Sequence, residues 1–235
     1  MCTTGNIQAW IFVKSDSITF AERNNLLLKG KPLIAYTIEV AHKSRYIKDV
    51  FISTDSPDIA AVAEQYGAIV PFLRSKDLSN NSVPVQKAWQ HAVEWNRSQK
   101  EYPVMDIMVS LPMLVPLRTS EDIDNSIELY LQGECDMVTA VSPSNRHPAY
   151  DMVFRDEAGN LSLILNNDNP FARTRETVVY DLTNMIYVCN ADFAANESNF
   201  LRARTKAIVV PRERSFDIRT MLDLKMAEYI LDEGI

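Results

Sequence analysis

Hydrophobic residues along the chain occur in short apolar runs that alternate with longer amphipathic segments. Residues 7–13 form an apolar run typical of a buried strand, and residues 31–44 repeat apolar positions every three to four residues, which predicts a helix packed on a sheet. Further strands are predicted at 49–53, 68–73, 105–111 and 136–141, and further helices at 57–66, 83–98 and 119–131. Strands separated by helices of this length indicate βαβ units, so we expect an α/β fold with a mainly parallel sheet and helices on both faces.

Residues typical of helix ends support these boundaries. Ser56 can cap the helix that begins at Pro57, and Gly67 can end it. Thr119 has the same capping position before the helix that stops at Gly133.

The pattern changes between residues 142 and 175. Short alternating runs at 152–154 and 161–165 flank a turn that contains Gly159, which predicts a β-hairpin. Beyond residue 175 the earlier pattern of strands and helices resumes, with predicted strands at 185–188 and 207–210 and a closing helix at 221–231. We therefore expect residues 1–235 to form a single domain with one projecting segment.

Composition and charge limit the classes of partner. A chain of 235 residues with 46% hydrophobic and 23% charged residues is long enough for one well-buried α/β domain. A net charge of -7 argues against a nucleic-acid surface or an anionic membrane as partner, and favours a small molecule. The three cysteines lack C-x-x-C spacing and are expected to be reduced thiols. With no apolar run near the roughly 20 residues of a membrane span and no signal pattern, we expect a cytoplasmic location.

Two segments near the N-terminus resemble a known family. The strand, loop and helix of residues 7–39, which include Gly30-Lys31-Pro32, and the sequence Ile52-Ser53-Thr54-Asp55-Ser56 are similar to the CMP-sialic acid synthetase family of sugar cytidylyltransferases. This resemblance implies a Rossmann-like sheet of the nucleotide-diphospho-sugar transferase type, CTP and an acidic sugar as substrates, and magnesium as cofactor. It also implies that residues 142–175 form a dimerisation arm of a homodimer.

The phosphate-binding loop departs from the family pattern. Relatives read I-P-A-R-G-G-S-K-G-I-P-N-K-N, whereas residues 11–24 contain no glycine, although Lys14 and Arg23 keep the positive charges. Glycine gives such loops the backbone freedom to close on a triphosphate, so its loss predicts weaker phosphate binding. The resemblance implies that Lys14 and Arg23 act in catalysis. The nucleotide-binding residues that it implies are Lys14, Ser15, Ser17, Arg23, Asn24 and Arg74. Arg74, from the family motif F-L-R-P, has an alternative interpretation as an exposed arginine of a strand-end loop.

A second motif follows the strand at 105–111. Relatives read L-Q-P-T-S-P-L-R-T, and here residues 111–119 keep the end of the motif while Met113, Leu114 and Val115 replace its polar residues. By resemblance, Arg118 and Arg173 contact the sugar substrate. An equally weighted alternative is that Arg118 pairs with the neighbouring acidic turn at 121–122.

A third motif lies near the C-terminus. The family sequence D-I-D-T, whose aspartates hold magnesium, is here Asp217-Ile218-Arg219-Thr220. By resemblance, Asp217 is thus a catalytic residue and the metal ligand, while Arg219 either repels the metal or supplies a positive charge in its place. We therefore expect CTP binding to depend little on magnesium.

Two functions follow from these motifs. The first is a transferase that moves CMP from CTP to a 2-keto-3-deoxy sugar acid and releases pyrophosphate. The second is a catalytically impaired homologue, a dimer that binds a nucleotide sugar or a protein. No motif for a covalent nucleophile is present, which suits a reaction that relies on positioning and charge stabilisation.

Overall fold

The computed structural model describes residues 5–15, 27–80, 82–165, 178–196 and 203–234. The strands within these residues are β1 Ile7–Phe12, β2 Leu27–Leu28, β3 Lys31–Pro32, β4 Val50–Ser53, β5 Ile107–Ser110, β6 Met137–Pro143, β7 Val153–Arg155, β8 Leu161–Leu163, β9 Tyr180–Asn190 and β10 Thr205–Val209. The helices are α1 Leu33–His42, α2 Pro57–Gln65, α3 Val85–Ser98, α4 Ser120–Leu131, α5 Ala191–Asn196 and α6 Met221–Glu233.

A six-stranded sheet in the order β10-β6-β9-β5-β1-β4 forms the centre of the described structure. Strand β1 pairs in parallel with β4 and β5, and β10 pairs in parallel with β6. Strand β9 is antiparallel to both of its neighbours, β5 and β6. The prediction of a mainly parallel sheet is confirmed, and β9 makes that sheet mixed.

Alternate residues of each central strand enter two separate hydrophobic cores. In β1, Ala9 and Ile11 pack with apolar residues of α1, α2 and α4. Trp10 points to the opposite face, where it packs with Phe51 and with apolar residues of α3 and α5. Because both faces of the sheet are covered by helices, the strands are buried and apolar, as the sequence predicted.

The prediction of a regular strand at 68–73 is wrong. The segment runs parallel beside β4 but forms only two isolated bridges, Phe51 with Ile69 and Thr54 with Leu73. Pro71 lies between the bridges and has no N–H to donate, so the ladder is interrupted there.

The predicted helix ends are confirmed by their hydrogen bonds. The Ser56 hydroxyl accepts from the Ile59 N–H at 3.3 Å, and Gly67 has a left-handed φ of 85° just beyond α2. Thr119 and Asp122 form a reciprocal capping box at the start of α4.

The predicted hairpin is also confirmed. Among the described strands, β7 and β8 pair only with each other, in antiparallel register, from Val153 with Leu163 to Arg155 with Leu161. Several of its apolar side chains are exposed, among them Phe154 at 61% and Leu161 at 65%.

Two further features of the described residues were absent from the sequence prediction. The short strands β2 and β3 pair across a turn in which Lys29 and Gly30 have positive φ, and the short helix α5 follows β9 directly. None of the helices in the described ranges combines the length and apolar character needed to cross a membrane.

Candidate active site

The carboxyl ends of β1, β4 and β5 lie side by side at one edge of the sheet. Phe12 is level with Ser53, and Trp10 is level with Ser110, so the loops that follow these strands begin next to one another. In open α/β sheets ligands bind at this edge. Loops from this edge carry the candidate residues Lys14, Ser15, Arg74 and Arg118.

Lys14 follows β1 and is bonded to the protein itself. Its Nζ donates to the carbonyl oxygens of Asn80 at 2.9 Å and Val83 at 2.8 Å, which tie the end of β1 to the loop before α3. Partial burial lowers the pKa of Lys14, and the nearby positive charge of Arg74 lowers it further, while Asp55 opposes the shift. Lys14 therefore lies where a triphosphate contact was predicted, with its charge directed at backbone carbonyls.

Ser15 bonds to an acidic residue that the sequence reasoning did not assign to the site. Its N–H donates to Asp55 Oδ1 at 2.8 Å, and its hydroxyl bonds to Asp55 Oδ2. Asp55 follows β4, so a carboxylate occupies the neighbourhood predicted to hold phosphate. Its position after a strand that neighbours β1 is the sequence signal that could have identified it.

Arg74 is buried, with 3% of its surface exposed. The guanidinium donates to the Val13 carbonyl at 2.8 Å, to the Ser53 carbonyl at 3.0 Å and hydroxyl at 3.1 Å, and to the Ser79 hydroxyl at 3.0 Å. Burial lowers its pKa. The interpretation as an exposed loop arginine is therefore wrong, because Arg74 fastens the ends of β1 and β4 to the turn at Lys76–Leu78. Its predicted contact with a nucleotide stays a prediction.

Arg118 is equally buried but is less completely bonded. Its Nε donates to the Val115 carbonyl at 3.0 Å and its Nη2 donates to the Pro112 carbonyl, whereas its buried Nη1 has no hydrogen-bond partner. Burial lowers the pKa of Arg118 to about 9, although the negative charges of Asp122 and Asp217 oppose that shift. A buried N–H without a protein partner is uncommon in folded proteins, so Arg118 Nη1 is a candidate donor to a ligand.

The proposed pairing of Arg118 with the acidic turn does not form. Asp122 instead accepts two hydrogen bonds from Arg214, at 3.0 and 2.9 Å, and caps α4 through Thr119. These bonds use the carboxylate fully, so Asp122 acts on Arg118 only through its charge. Arg214 lies outside the three motifs compared with the family, so the sequence did not single it out.

Asp217 lies close to Arg118 because the C-terminal motif bonds to the loop after β5. The Ile218 N–H donates to the Leu114 carbonyl at 2.9 Å, and Ile218 is buried. Asp217 Oδ2 accepts from Arg219 Nε at 2.9 Å, and Arg219 Nη2 lies 2.8 Å from the same oxygen. Asp217 Oδ1 is buried and has no hydrogen-bond partner. We name Arg118, Asp217 and Arg219 the Asp217 cluster.

Tyr187 lies near the Asp217 cluster, and a second aromatic residue packs against it. Tyr187, from the middle of β9, has its pKa raised mainly by burial and also by the negative charge of Asp217. Trp89, from α3, packs against Tyr187 with ring centroids 5.7 Å apart, and its buried Nε1 has no hydrogen-bond partner. No motif in the sequence identified either residue, because Tyr187 of β9 comes near Asp217 only in the folded chain.

The surroundings of Asp217 do not fit a magnesium ion. One carboxylate oxygen is already paired with the Arg219 guanidinium, and a second guanidinium, that of Arg118, is close enough to act on Asp217 electrostatically. Within the described ranges, no group of three or more His, Cys, Asp or Glu side chains could hold a metal. A divalent cation next to two guanidinium groups would be repelled, and magnesium prefers carboxylate and phosphate oxygens.

The remaining predicted residues lie outside the described residues. They are Ser17, Arg23, Asn24 and Arg173. Their assigned roles stay predictions.

Comparison with known proteins identifies the family. The cytidylyltransferase family profile matches residues 11–188. The chain belongs to the cytidylyltransferase family. The resemblance drawn from the motifs is therefore confirmed, and the matched residues include the ends of β1, β4 and β5.

One relative of this cytidylyltransferase-family chain is named as the synthase of a CMP-linked sugar acid, and another is named for the modification of flagellin. The chain is 31% identical to the CMP-N,N'-diacetyllegionaminic acid synthase of Legionella pneumophila, over 96% of both chains. It is 28% identical to post-translational flagellin modification protein B of Campylobacter coli, over 86% of this chain and 84% of that protein.

A solved structure of a similar protein confirms the fold. The structure of CMP:2-keto-3-deoxy-manno-octonic acid synthetase complexed with CTP superposes with a TM-score of 0.71 at 14% identity. The match covers 98% of this chain and all of that one. At this identity the likeness concerns the fold alone.

Proposed function

We propose that this protein transfers CMP from CTP to a nonulosonic-type 2-keto-3-deoxy sugar acid and releases pyrophosphate. Family membership and the relative that is 31% identical over 96% of both chains support the reaction type. The observation that carries the proposal is the pair of unsatisfied buried atoms, Arg118 Nη1 and Asp217 Oδ1, at the ligand-binding edge of the sheet. One atom is a donor and the other an acceptor, so together they can bind a ligand that carries both phosphate and hydroxyl groups.

The reaction requires positioning more than covalent catalysis. A sugar oxygen forms a bond to the α-phosphorus of CTP while the bond between the α- and β-phosphates breaks. In this proposal Arg118 Nη1 donates to a phosphate oxygen, and Asp217 Oδ1 accepts from a sugar hydroxyl. Arg23 and Arg173 are assigned to the triphosphate and to the sugar carboxylate by resemblance.

A second candidate function is that of a homologue that binds the nucleotide without turnover. The favouring observation is that the charges of Lys14 and Arg74 are directed at the protein's own carbonyl and hydroxyl oxygens. The Asp217–Arg219 ion pair also occupies the position of the family's metal ligands. Loss of one positioned donor typically lowers a rate by about two to three orders of magnitude, so several changes together can abolish turnover.

Pyrophosphate release measured with CTP and a panel of 2-keto-3-deoxy sugar acids distinguishes the two candidates. With turnover, Asp217→Asn should lower kcat/KM by about tenfold or more, the size of one lost charge-assisted contact. Asp58→Asn, the same change at an exposed residue of α2, is the matched control and should leave kcat/KM unchanged.

Measuring CTP binding alongside turnover distinguishes the two candidate functions. CTP binding without release for any sugar acid supports the second candidate. Turnover that is insensitive to Asp217→Asn would remove the Asp217 cluster from the proposed active site. Absence of both binding and turnover would overturn both candidates.

We also propose that the protein is a homodimer that pairs through the hairpin and the start of β9. A two-stranded hairpin is marginal by itself, and here β7 and β8 expose Val153, Phe154 and Leu161, at 47%, 61% and 65%. Tyr180 and Leu182 of β9 add exposed apolar surface at 43% and 48%. Exposed apolar surface of this extent favours burial against a second copy.

Light scattering coupled to size-exclusion chromatography tests the homodimer. Phe154→Glu should convert the dimer to a monomer, because it places a charge on the apolar hairpin. Leu222→Glu, at a residue of α6 that is 67% exposed, is the control and should stay dimeric. A wild-type monomer at micromolar concentration would refute this part of the proposal.

A further inference from the structure

The Asp217 cluster contains two positive groups and one negative group at the ligand-binding edge of the sheet. Arg118 and Arg219 contribute guanidinium groups, and Asp217 contributes the carboxylate. The net charge of the three side chains is therefore positive. A positive cluster at this edge attracts phosphate rather than a metal ion.

The two arginines differ in a way that suits them to one ligand. Arg118 is 3% exposed and held by two backbone carbonyls, so its unpartnered Nη1 has a fixed position. The Arg219 side chain is 68% exposed, and its guanidinium pairs with Asp217 Oδ2 at 2.8 Å. A fixed buried donor and an exposed one near the same carboxylate can both donate to one phosphate group.

By the resemblance drawn from the sequence, Arg219 stands where the family motif has its second aspartate. A guanidinium delivers one positive charge and several N–H donors to phosphate oxygens, whereas magnesium delivers two charges and binds the oxygens directly. Because Arg219 already pairs with Asp217 Oδ2, its charge is held at the site before any nucleotide arrives. The protein therefore carries its phosphate-binding cation as a side chain.

We propose that Arg118, Asp217 and Arg219 form a metal-independent site for a phosphate group of a cytidine nucleotide. This inference rests on the proposed function, because it takes the nucleotide from that proposal. It assigns Arg219 the electrostatic role that a divalent cation has when two aspartates are present. Asp217 holds Arg219 in place and keeps the two guanidinium groups from repelling each other.

Calorimetric titration with CTP tests the proposal, with chelator in one series and excess magnesium in the other. Wild-type affinity should differ by less than about threefold between the two series, since no metal takes part. Arg219→Gln should weaken chelator-treated binding by about tenfold or more, the size of a lost charge-assisted hydrogen bond to phosphate. Magnesium should not restore that affinity, because Asp217 alone is a single carboxylate ligand.

Arg219→Asp is the complementary variant, because it recreates the two-aspartate motif. It should lose CTP affinity in chelator and regain it with magnesium. Titration with Mn²⁺ in the absence of nucleotide should show binding to Arg219→Asp and none to the wild type. Arg212→Asp is the control for net charge, because Arg212 is exposed in the preceding loop and should leave both CTP series unchanged.

These readouts do not depend on turnover. Wild-type CTP binding that appears only with magnesium would overturn the metal-independent site and leave the proposed transferase standing. Metal-independent CTP binding that persists in Arg219→Gln would also overturn it. If the wild type binds CTP without metal and Arg219→Gln does not, the proposed site is supported. If the wild type also turns over no sugar acid, the proposed transferase is refuted. Thermal unfolding of each variant shows whether a loss of affinity reflects a loss of fold.

Discussion

Arg74 and Arg118 are both 3% exposed and both lie at the ligand-binding edge of the sheet, but their guanidinium groups are bonded differently. Arg74 makes four hydrogen bonds, to the Val13 and Ser53 carbonyls and to the Ser53 and Ser79 hydroxyls. Arg118 makes two, and its Nη1 has no partner. The first arginine is engaged by the protein, whereas the second keeps a donor available.

The same contrast extends to the neighbours of each arginine. Beside Arg74, Lys14 donates to two backbone carbonyls and Asp55 accepts from Ser15. Beside Arg118, Asp217 has one carboxylate oxygen paired with Arg219 and the other without a partner. Burial and charge alone therefore do not identify a binding residue. The hydrogen bonds that each guanidinium group makes to the protein distinguish the two arginines.

The largest expected effect concerns the stability that Arg74 provides. Arg74→Ala should lower the free energy of unfolding by about 3 kcal/mol, because it leaves buried carbonyl oxygens at the ends of β1 and β4 without donors. Chemical denaturation of wild type and variant measures this change. Lys76→Ala, at an exposed neighbour on the same turn, is the control and should change stability by less than about 0.5 kcal/mol.

The same measurement compares the stability contribution of Arg74 with that of an exposed loop arginine. Exposed arginines contribute little to stability, so a fall of less than about 1 kcal/mol for Arg74→Ala would mean that its hydrogen bonds are not maintained in solution. The interpretation of the Arg74 region as structural would then be wrong.

A smaller effect is expected for the corresponding change at Arg118. Arg118→Met should lower the free energy of unfolding by about 1 kcal/mol, because the loss of two hydrogen bonds is partly offset by removal of an incompletely bonded buried charge. The same denaturation experiment provides the measurement. A loss as large as that for Arg74→Ala would show that Arg118 is also fully engaged by the protein, and the comparison would fail.

The smallest effect is a pH dependence that arises from Lys14. Its pKa in the folded protein is lowered from 10.5, chiefly by burial, so the unfolded chain binds the proton more tightly. The Lys14 contribution to the free energy of unfolding therefore rises as the pH approaches 10.5 from below. Lys14→Met should flatten this rise, as measured by denaturation at a series of alkaline pH values. Equal slopes for wild type and Lys14→Met would show that Lys14 is not held among the carbonyls of Asn80 and Val83.

Much of the fold follows from local patterns in the sequence. The apolar run of β1 and the caps at Ser56 and Thr119 act within a few residues, so they predicted the elements that the structure contains. The segment at 68–73 had the same apolar pattern, yet it forms only isolated bridges. The antiparallel direction of β9 could not be predicted from the sequence, because periodicity carries no information on which strands pair.

For the candidate site, the sequence by itself determined the family and the spacing of Asp217 and Arg219, and the resemblance predicted that Arg219 takes the place of a metal ligand. Only the tertiary structure decided what each charged side chain contacts. Arg74 is directed at the carbonyls of Val13 and Ser53, which precede it by 61 and 21 residues. Arg118 lies beside Asp217 because the Ile218 N–H bonds to the Leu114 carbonyl. The sequence records which residues carry charge, but the acceptors that satisfy each charge come from distant segments that meet only in the folded chain.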